Sequence, residues 1–262
     1  MTDRMSDSSV RRFYDDLARD YHLIFADWDA SMARQAVALD TLVRQRLGAG
    51  PRRVLDCSCG IGTQAIGLAR AGHRVVGGDL SAVAVARATA EATARGVELP
   101  VVAADMRQLP FPDAGFDVVV CADNSLPHLL CAQDVIAALR DMRRVLRDGG
   151  LLVLTVRPYD ELLAALPPAP PPQIAETPEG RVVTLQLWHW HEDGEHYDLE
   201  HLQLLPAGDT WTVRTRRTTY WALTRARLTR FVAEAGFTEA EWRAPDSTGF
   251  YQPVLTALRA SR

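Results

Sequence analysis

The chain has 262 residues, 47% of them hydrophobic and 24% charged, a balance that suits one large α/β domain with an insertion. A net charge of −4 with both signs interspersed leaves no electrostatic footprint for nucleic acid or an anionic membrane surface. No stretch approaches the ~18 consecutive apolar residues that span a bilayer, and the first residues lack the apolar core of a signal peptide, so a cytoplasmic location is expected.

From about residue 30 to 156 hydrophobic runs alternate with helical patterns, which predicts a parallel sheet wrapped by helices. Met32 to Leu47 reads as a helix ending at Gly48. Arg53 to Asp56 is a short buried strand, followed by a glycine turn and a helix from about Gly62 to Ala71. Arg74 to Asp79 is the second strand, and Ser81 is a good N-cap for a helix running to Arg95. Pro100 to Ala103 and Phe116 to Ala122 give strands three and four. An amphipathic helix from Asp134 to Arg147 stops at Asp148-Gly149-Gly150, before the apolar fifth strand Leu151 to Val156.

The pattern then changes. Residues 167–172 (PPAPPP) form a connector that can neither continue a helix nor pair as a strand. Three alternating, aromatic-rich runs between Arg181 and Thr224 are separated by turn chemistry and predict an antiparallel meander. A helix from Thr224 to Ala235 and strands near Phe237 to Trp242 and Gln252 to Leu258 close the chain. The expected division is 1–48 as a helical cap, 49–160 as the binding core, 161–224 as connector and lid, and 225–262 as the elements completing the core sheet.

Every basic residue other than histidine is arginine, which excludes lysine Schiff-base chemistry. Of the four cysteines, Cys57, Cys59 and Cys121 lie in or beside expected buried strands, so reduced, packed thiols are expected rather than disulfides.

Val54 to Ala65 (VLDCSCGIGTQA) puts two glycines between a strand and a helix, where the backbone can approach a ligand and the helix N-terminus offers free N–H groups. Gly60-x-Gly62-x-x-Ala65 satisfies the dinucleotide fingerprint, with Asp79 about 20 residues on. Taken alone it does not separate a nicotinamide from S-adenosylmethionine. Context does. Asp56 stands four residues before Gly60, leaving a longer loop that suits an amino-acid moiety. Asp79 at the second strand tip can accept ribose hydroxyls. Asp105 can accept from an adenine amino group, with Met106 packing on the ring. Cys121 to His128 (CADNSLPH) brings further polar groups to the carboxyl edge of the sheet, where such folds bind ligands.

With these residues the sequence resembles the class I S-adenosylmethionine (SAM) dependent methyltransferases, and within them the glycine/sarcosine N-methyltransferase group. VLDCSCGIGT is similar to that group's VLDxxCGTG, CADNSLPH to its CxxNSxxH, and Gly149 to Asp160 (GGLLVLTVRPYD) to its GGLLVxxxRxYD. The resemblance implies a Rossmann-like seven-stranded sheet whose last strand is antiparallel, with an antiparallel β insertion forming a lid. It implies SAM as cofactor and S-adenosylhomocysteine as product, with no metal. It also implies cofactor contacts from Tyr14 or Tyr21, Arg34, Ser58, Gly60, Gly62, Asp79, Leu80, Asp105, Met106 and Ala122. Arg157 stands where the glycine enzymes hold the substrate carboxylate; pairing with an acid such as Asp123 is its structural alternative. The group's habit of self-association makes a homo-oligomer an expectation.

Two departures from the glycine pattern bear on the acceptor. PPAPPP replaces a tyrosine pair, and the lid sequence Leu187 to His191 (LWHWH), with Trp211, Tyr220 and Trp221, is richer in bulky aromatics than glycine needs. Some actinobacterial relatives that methylate an indole carbon in specialised metabolism look similar. The acceptor is therefore read as a tryptamine-type indole or a glycine/sarcosine-like amine, with Asn124, Arg157, Trp188 and Tyr220 facing it. Methyl transfer rests first on alignment and then on proton removal, for which Tyr14, Tyr21, Asp123 and His128 are the candidates. His189, His191, His196 and His201 read as the wetter face of the lid rather than a metal site. A NAD-dependent oxidoreductase and a non-catalytic SAM-binding module are the alternatives.

Overall fold

A computed structural model describes residues 3–261. Two helices open the chain, α1 (Asp3–Leu17) and α2 (Trp28–Leu47), joined through a 3-10 turn at Tyr21–Ile24. The helix α2 starts four residues before the expected Met32, because the Asp27 side chain accepts from the Ala30 N–H at 2.9 Å and caps it earlier. Then follow β1 (Arg53–Asp56), α3 (Thr63–Arg70), β2 (Arg74–Asp79), α4 (Ala82–Ala94), β3 (Val101–Ala103), β4 (Phe116–Cys121), α5 (Ala132–Val145) and β5 (Leu146–Thr155). The expected stop at Asp148-Gly149-Gly150 is instead an outward loop within β5. Phe116 pairs with Leu146 and Val118 with Leu151, so residues 147–150 are looped out of the ladder.

After β5 come α6 (Tyr159–Ala165) and four lid strands, β6 (Gln173–Thr177), β7 (Gly180–Trp190), β8 (His196–Ala207) and β9 (Thr210–Trp221). The chain closes with α7 (Arg225–Glu234), β10 (Phe237–Arg243), α8 (Pro245–Thr248) and β11 (Val254–Arg259). Helices α6 and α8 and strand β6 had no counterpart in the sequence reading. The last strand follows the proline tract directly, where composition conceals it. The tract itself still bonds, since proline keeps its carbonyl: Pro168 O accepts the Trp188 N–H at 2.7 Å and Pro167 O the Trp190 indole N–H at 3.0 Å.

The main sheet has the order β10-β11-β5-β4-β1-β2-β3, with β11 antiparallel to both neighbours. Alternation sorts its side chains into two cores. Leu55, Val119, Leu152 and Leu255 face α5, α7 and the lid, while Val54, Val118, Val120 and Val254 face α2 and α3. The lid is a separate sheet, β6-β7-β8-β9. Its inner face carries Thr184, Gln186, Trp188, Tyr197, Leu199, His201 and Tyr220, and closes over the carboxyl edge of the main sheet. Helix α1 packs between the two sheets, with Phe13 edge-on to His201 at 6.3 Å and the Ser81 hydroxyl donating to Asp15 at 2.5 Å.

Candidate active site

The glycine turn after β1 builds the first wall. Gly60 and Gly62 have φ of 52° and 99°, and a Cβ on Gly62 would lie 2.8 Å from Ile66, so only glycine suits that position. The turn is held by Asp79 at the tip of β2, whose carboxylate accepts from the Gly60 N–H (2.8 Å) and the Ser81 N–H (2.9 Å). Burial pushes the Asp79 carboxyl up, against the pull of these two donors. Asp56 is fully buried and pushed up to about 7 by that burial; its Oδ1 takes the Ser58 N–H at 3.3 Å and its Oδ2 has no partner. Ser58, Cys59, Gly60, Asp79 and Leu80 line a narrow crevice roofed by Val10 and Tyr14 of α1.

The second wall comes from the end of β4. Asp123 and Asn124 both lie in the left-handed region, with φ of 55° and 63°, a conformation that Asp and Asn accept more readily than other side chains. This double reversal directs the two side chains apart. Asn124 Oδ1 accepts the Arg157 N–H at 3.0 Å. Asp123 receives the hydroxyls of Tyr21 (3.1 Å) and Tyr251 and the Gln252 amide (3.4 Å). Half of Tyr251 is open, yet its hydroxyl end is enclosed; burial and Asp123 hold it, like Tyr21, well above the usual phenol range. Both phenols therefore stay protonated and act as donors.

Beyond Asp123 a cavity of about 380 Å³ opens beneath the lid. Tyr14, Tyr21 and Asp123 line both the crevice and this cavity, so the two spaces meet at those side chains. The Tyr14 hydroxyl is 2.8 Å from His128 Nε2. His128 is buried against Tyr220 at 4.2 Å, and burial, with Arg157 nearby, pushes it down to about 3. The imidazole is neutral at any ordinary pH. It orients the Tyr14 hydroxyl and is too weak a base to remove a proton from an acceptor.

Arg157 faces the cavity from the far side of Asn124. Its guanidinium lies 4.9 Å over the Trp188 ring and 5.0 Å over the Tyr220 ring, and donates to Tyr197 Oη (2.5 Å) and Gln186 Oε1 (3.4 Å). Burial opposes its charge, but the hydroxyls of Tyr197, Tyr159 and Tyr220 outweigh that and hold it charged. Asp123 is not its partner, nor is any other carboxylate among the described residues.

The structure thus gathers Ser58, Gly60, Asp79 and Leu80 at the crevice, Tyr14, Tyr21 and Asp123 at the junction, and Arg157 and Tyr220 in the cavity. Other expected residues fall elsewhere. Arg34 lines the outer part of the large cavity, not the crevice. Asp105 is already paired with Arg107 at 2.6 Å, which holds its carboxyl below the usual range despite burial. Met106 packs against the core, and Ala122 is buried with its carbonyl accepting from Ser125. Gly62 shapes the turn as the N-cap of α3. Asn124 and Trp188 stand behind Arg157 and line neither space; the Trp188 indole N–H goes to Gln186 at 3.0 Å. Of the four lid histidines, His189 and His191 point outward beside Glu200 and Asp198, while His196 pairs with Asp193, stacks on Trp221 at 5.8 Å and meets the Leu130 carbonyl through Nε2 at 3.1 Å. His201 is the exception: it sits on the inner face, 3% exposed, lining the cavity. Missed altogether were Tyr251, Gln252, Gln186 and Thr184.

Residues 54–150 match the family model described as a methyltransferase domain. Over those residues the chain is similar to methyltransferase domains, and its seven-stranded sheet with an antiparallel last strand has the class I methyltransferase fold. The chain is similar to the glycine/sarcosine N-methyltransferase of Parasynechococcus marenigrum, with 37% identity over 138 residues, 52% of this chain and 48% of that protein. The chain spans about half the length of the curated relatives it matches. The whole fold superposes on Streptomyces venezuelae DesVI with a TM-score of 0.75 at 18% identity, covering 94% of this chain and 98% of that one. It also superposes on the sugar N-methyltransferase KedS8 from Streptoalloteichus, with a TM-score of 0.70 at 24% identity and 88% of each chain covered. The matched residues line the crevice together with Val10, Tyr14 and Tyr21 of the cap, but give the cavity only Asp123; its other walls are the cap, Arg157, the lid and the segment before β11.

Proposed function

We propose that the protein is a SAM-dependent methyltransferase acting on the amine nitrogen of a small, carboxylate-bearing molecule. The observation that carries the acceptor assignment is Arg157: a buried cation with no carboxylate of its own, facing a cavity that meets the crevice at Tyr14, Tyr21 and Asp123. A buried guanidinium with an open side favours an anion there, and its planar fork suits a carboxylate. Asp123, at the other end, offers negative charge to the positive charge that develops on the nitrogen as it takes the methyl group.

The crevice fits the cofactor chemically. Asp79 retains lone pairs toward it for ribose hydroxyls, and the orphaned Asp56 Oδ2 with Ser58 and Gly60 offers polar groups to an amino-acid end. SAM supplies an electrophilic methyl group on a sulfonium. The protein's own task is then alignment, which can lower a barrier by roughly 7–11 kcal/mol at most. Held 2.8 Å from His128 Nε2, the Tyr14 hydroxyl stands at the junction, where its oxygen can take an acceptor N–H. Tyr21 and Tyr251 fix the Asp123 carboxylate, which orients the same nitrogen. The Tyr14 and Tyr21 hydroxyls are held protonated and His128 is too weak a base, so on this reading the amine arrives already deprotonated.

An indole acceptor would need an aromatic cradle. Trp188 and Trp190 do not supply it, being packed on Arg157, Tyr197 and the proline tract. The test is a panel of glycine, sarcosine, larger amino acids and tryptamine, incubated with SAM and followed by mass spectrometry for S-adenosylhomocysteine. Turnover confined to the carboxylate-bearing amines is expected. Turnover of tryptamine alone would overturn the acceptor assignment, and failure to bind S-adenosylhomocysteine in calorimetry would overturn the methyltransferase reading itself.

A further inference from the structure

The cavity beneath the lid is larger than a glycine-sized acceptor needs. Glycine would claim roughly 150 Å³ at ~30 Å³ for each water-sized group, whereas the cavity holds about 380 Å³. Strand register places the excess. Arg157 meets the lid at Gln186 on β7, which pairs across with His201 on β8. Thr184 stands two residues back along β7, about 7 Å farther at the strand rise, and its hydroxyl donates to the Leu23 carbonyl of the 3-10 turn at 3.5 Å. Ile24 and Phe25 follow Leu23 and line the cavity with Thr184. Phe13 and Leu17, one turn apart on α1, line it from the side, with Phe13 edge-on to His201 at 6.3 Å.

Polar side chains in this part of the cavity are already engaged. Thr184 is spent on Leu23, Gln35 is tied to Ser31 at 3.1 Å and to Gln64 at 2.7 Å, and Tyr21 donates to Asp123. His201 Nε2 is itself buried. Arg34 and Gln173 are exposed and belong to the outer part. What remains toward the 3-10 turn is a wall of carbon.

We propose that the acceptor is an α-amino acid with an apolar side chain, of leucine to phenylalanine size, seated against Phe13, Leu17, Ile24 and Phe25. The proposal rests on Arg157 holding a carboxylate. With that group on Arg157 and the nitrogen at Asp123, the space left open runs toward Thr184 and the 3-10 turn. Apolar carbon placed there displaces water from an apolar wall and gains packing contacts, whereas glycine leaves the wall wet. A hydroxylated or charged side chain would give up its hydration to groups already bonded elsewhere.

Initial rates with SAM, read as S-adenosylhomocysteine by mass spectrometry, decide it across glycine, alanine, leucine, phenylalanine, serine and glutamate. Isoamylamine, which is leucine without its carboxylate, completes the panel. The value of kcat/KM should climb about fourfold for each buried methylene, so leucine should exceed glycine by about a hundredfold. Serine and glutamate should not exceed alanine. Glycine matching leucine and phenylalanine would overturn the side-chain inference while leaving the role of Arg157 intact. Isoamylamine matching leucine would instead overturn the carboxylate reading, and the amino-acid class with it. Ile24→Trp fills the far end of the cavity and should lower the leucine-to-glycine ratio of kcat/KM about tenfold. A ratio unmoved in a variant that still binds S-adenosylhomocysteine would overturn the placement. Should that variant misfold, Phe25→Ala removes part of the same wall and should lower the ratio about threefold or more.

Discussion

Among the individual side chains, two stand out by what they lack. Among the described residues Arg157 has no acid beside it, and His201 Nε2 is buried without a hydrogen-bond partner. For Arg157 the expectation is that Leu in its place raises KM for a carboxylate-bearing amine about a hundredfold, consistent with losing a charge-assisted, bidentate contact of roughly 1.5–3 kcal/mol. Cofactor affinity measured by calorimetry should stay within about threefold. Lysine in that position should not restore the loss, because it cannot lie flat between Trp188 and Tyr220. His201 titrates in the acid range, pushed down to about 4 by burial with Arg216 and Arg157 close by. Its folded pKa lies below its ordinary value of 6.5, so between those two values the unfolded chain holds a proton that the folded one excludes, and stability drops as the pH is lowered. Replacing His201 with Phe removes that dependence. The variant should melt near the wild type at pH 7 and above it at pH 5, by about 1.4 kcal/mol for each pH unit below the unfolded value; thermal melts at the two pH values measure the difference. Arg157 and the strand-tip acids were legible in the sequence because local motifs carry them. His201 was not, since its spacing from His196 says nothing about which face of an insertion turns inward.

Helix α1 governs access to the crevice. That crevice has a volume of about 50 Å³ under Val10 and Tyr14, whereas a site enclosing a cofactor-sized molecule needs a few hundred, roughly. Its polar fastenings include Tyr14 to His128, Asp15 to Ser81, and Arg87 to the carbonyls of Ala18 and Arg19 just past its C-terminal end. It must move outward to admit the cofactor and settle afterwards on a larger filled site. Hydrogen exchange of the backbone amides between residues 8 and 17 should therefore slow about tenfold when S-adenosylhomocysteine is added, with α2 and α3 unaffected; equal exchange in both states would show that α1 is not the door. The α/β core was legible from its pattern because central parallel strands such as Val118 to Cys121 read as unbroken apolar runs. Strand β6 was hidden, because Gln173 to Thr177 pairs on one side only and its alternation is short.

At the scale of the whole molecule, two sheets and a helical cap share one site, and close contacts between layers set their spacing. The tightest lies where α2 crosses α3. A Cβ on Gly67 would fall 2.8 Å from Ala36 Cβ and 3.1 Å from the Met32 carbonyl, so the helices touch through glycine. Gly67→Val should cost about 1–3 kcal/mol by overpacking, lowering the melting temperature by roughly 3–10 °C. Differential scanning calorimetry of the two proteins tests this. The layer architecture followed from alternating hydrophobic runs, and the antiparallel last strand from resemblance. Tyr251 could have been read from that strand direction alone: a strand running against its neighbours must begin at the edge where they end, so the residues before it arrive at the site. The lid's doubly apolar strands, by contrast, resemble ordinary core strands until the register separates inside from outside.

Asp123 is gripped by Tyr21, 102 positions earlier, and by Tyr251, 128 positions later. During folding, the loop closures that bring these phenols together are long, and chain entropy opposes them until both sheets are nearly complete. The glycine turn that floors the crevice depends on a near neighbour, since Gly60 and Asp79 meet 19 apart. A folding chain therefore sets that turn early and completes the cavity around Asp123 last, after the final strand has docked. Refolding followed by S-adenosylhomocysteine fluorescence competition and by a tyrosine signal would separate the two events in time, with the phenolic cluster forming in the slower phase.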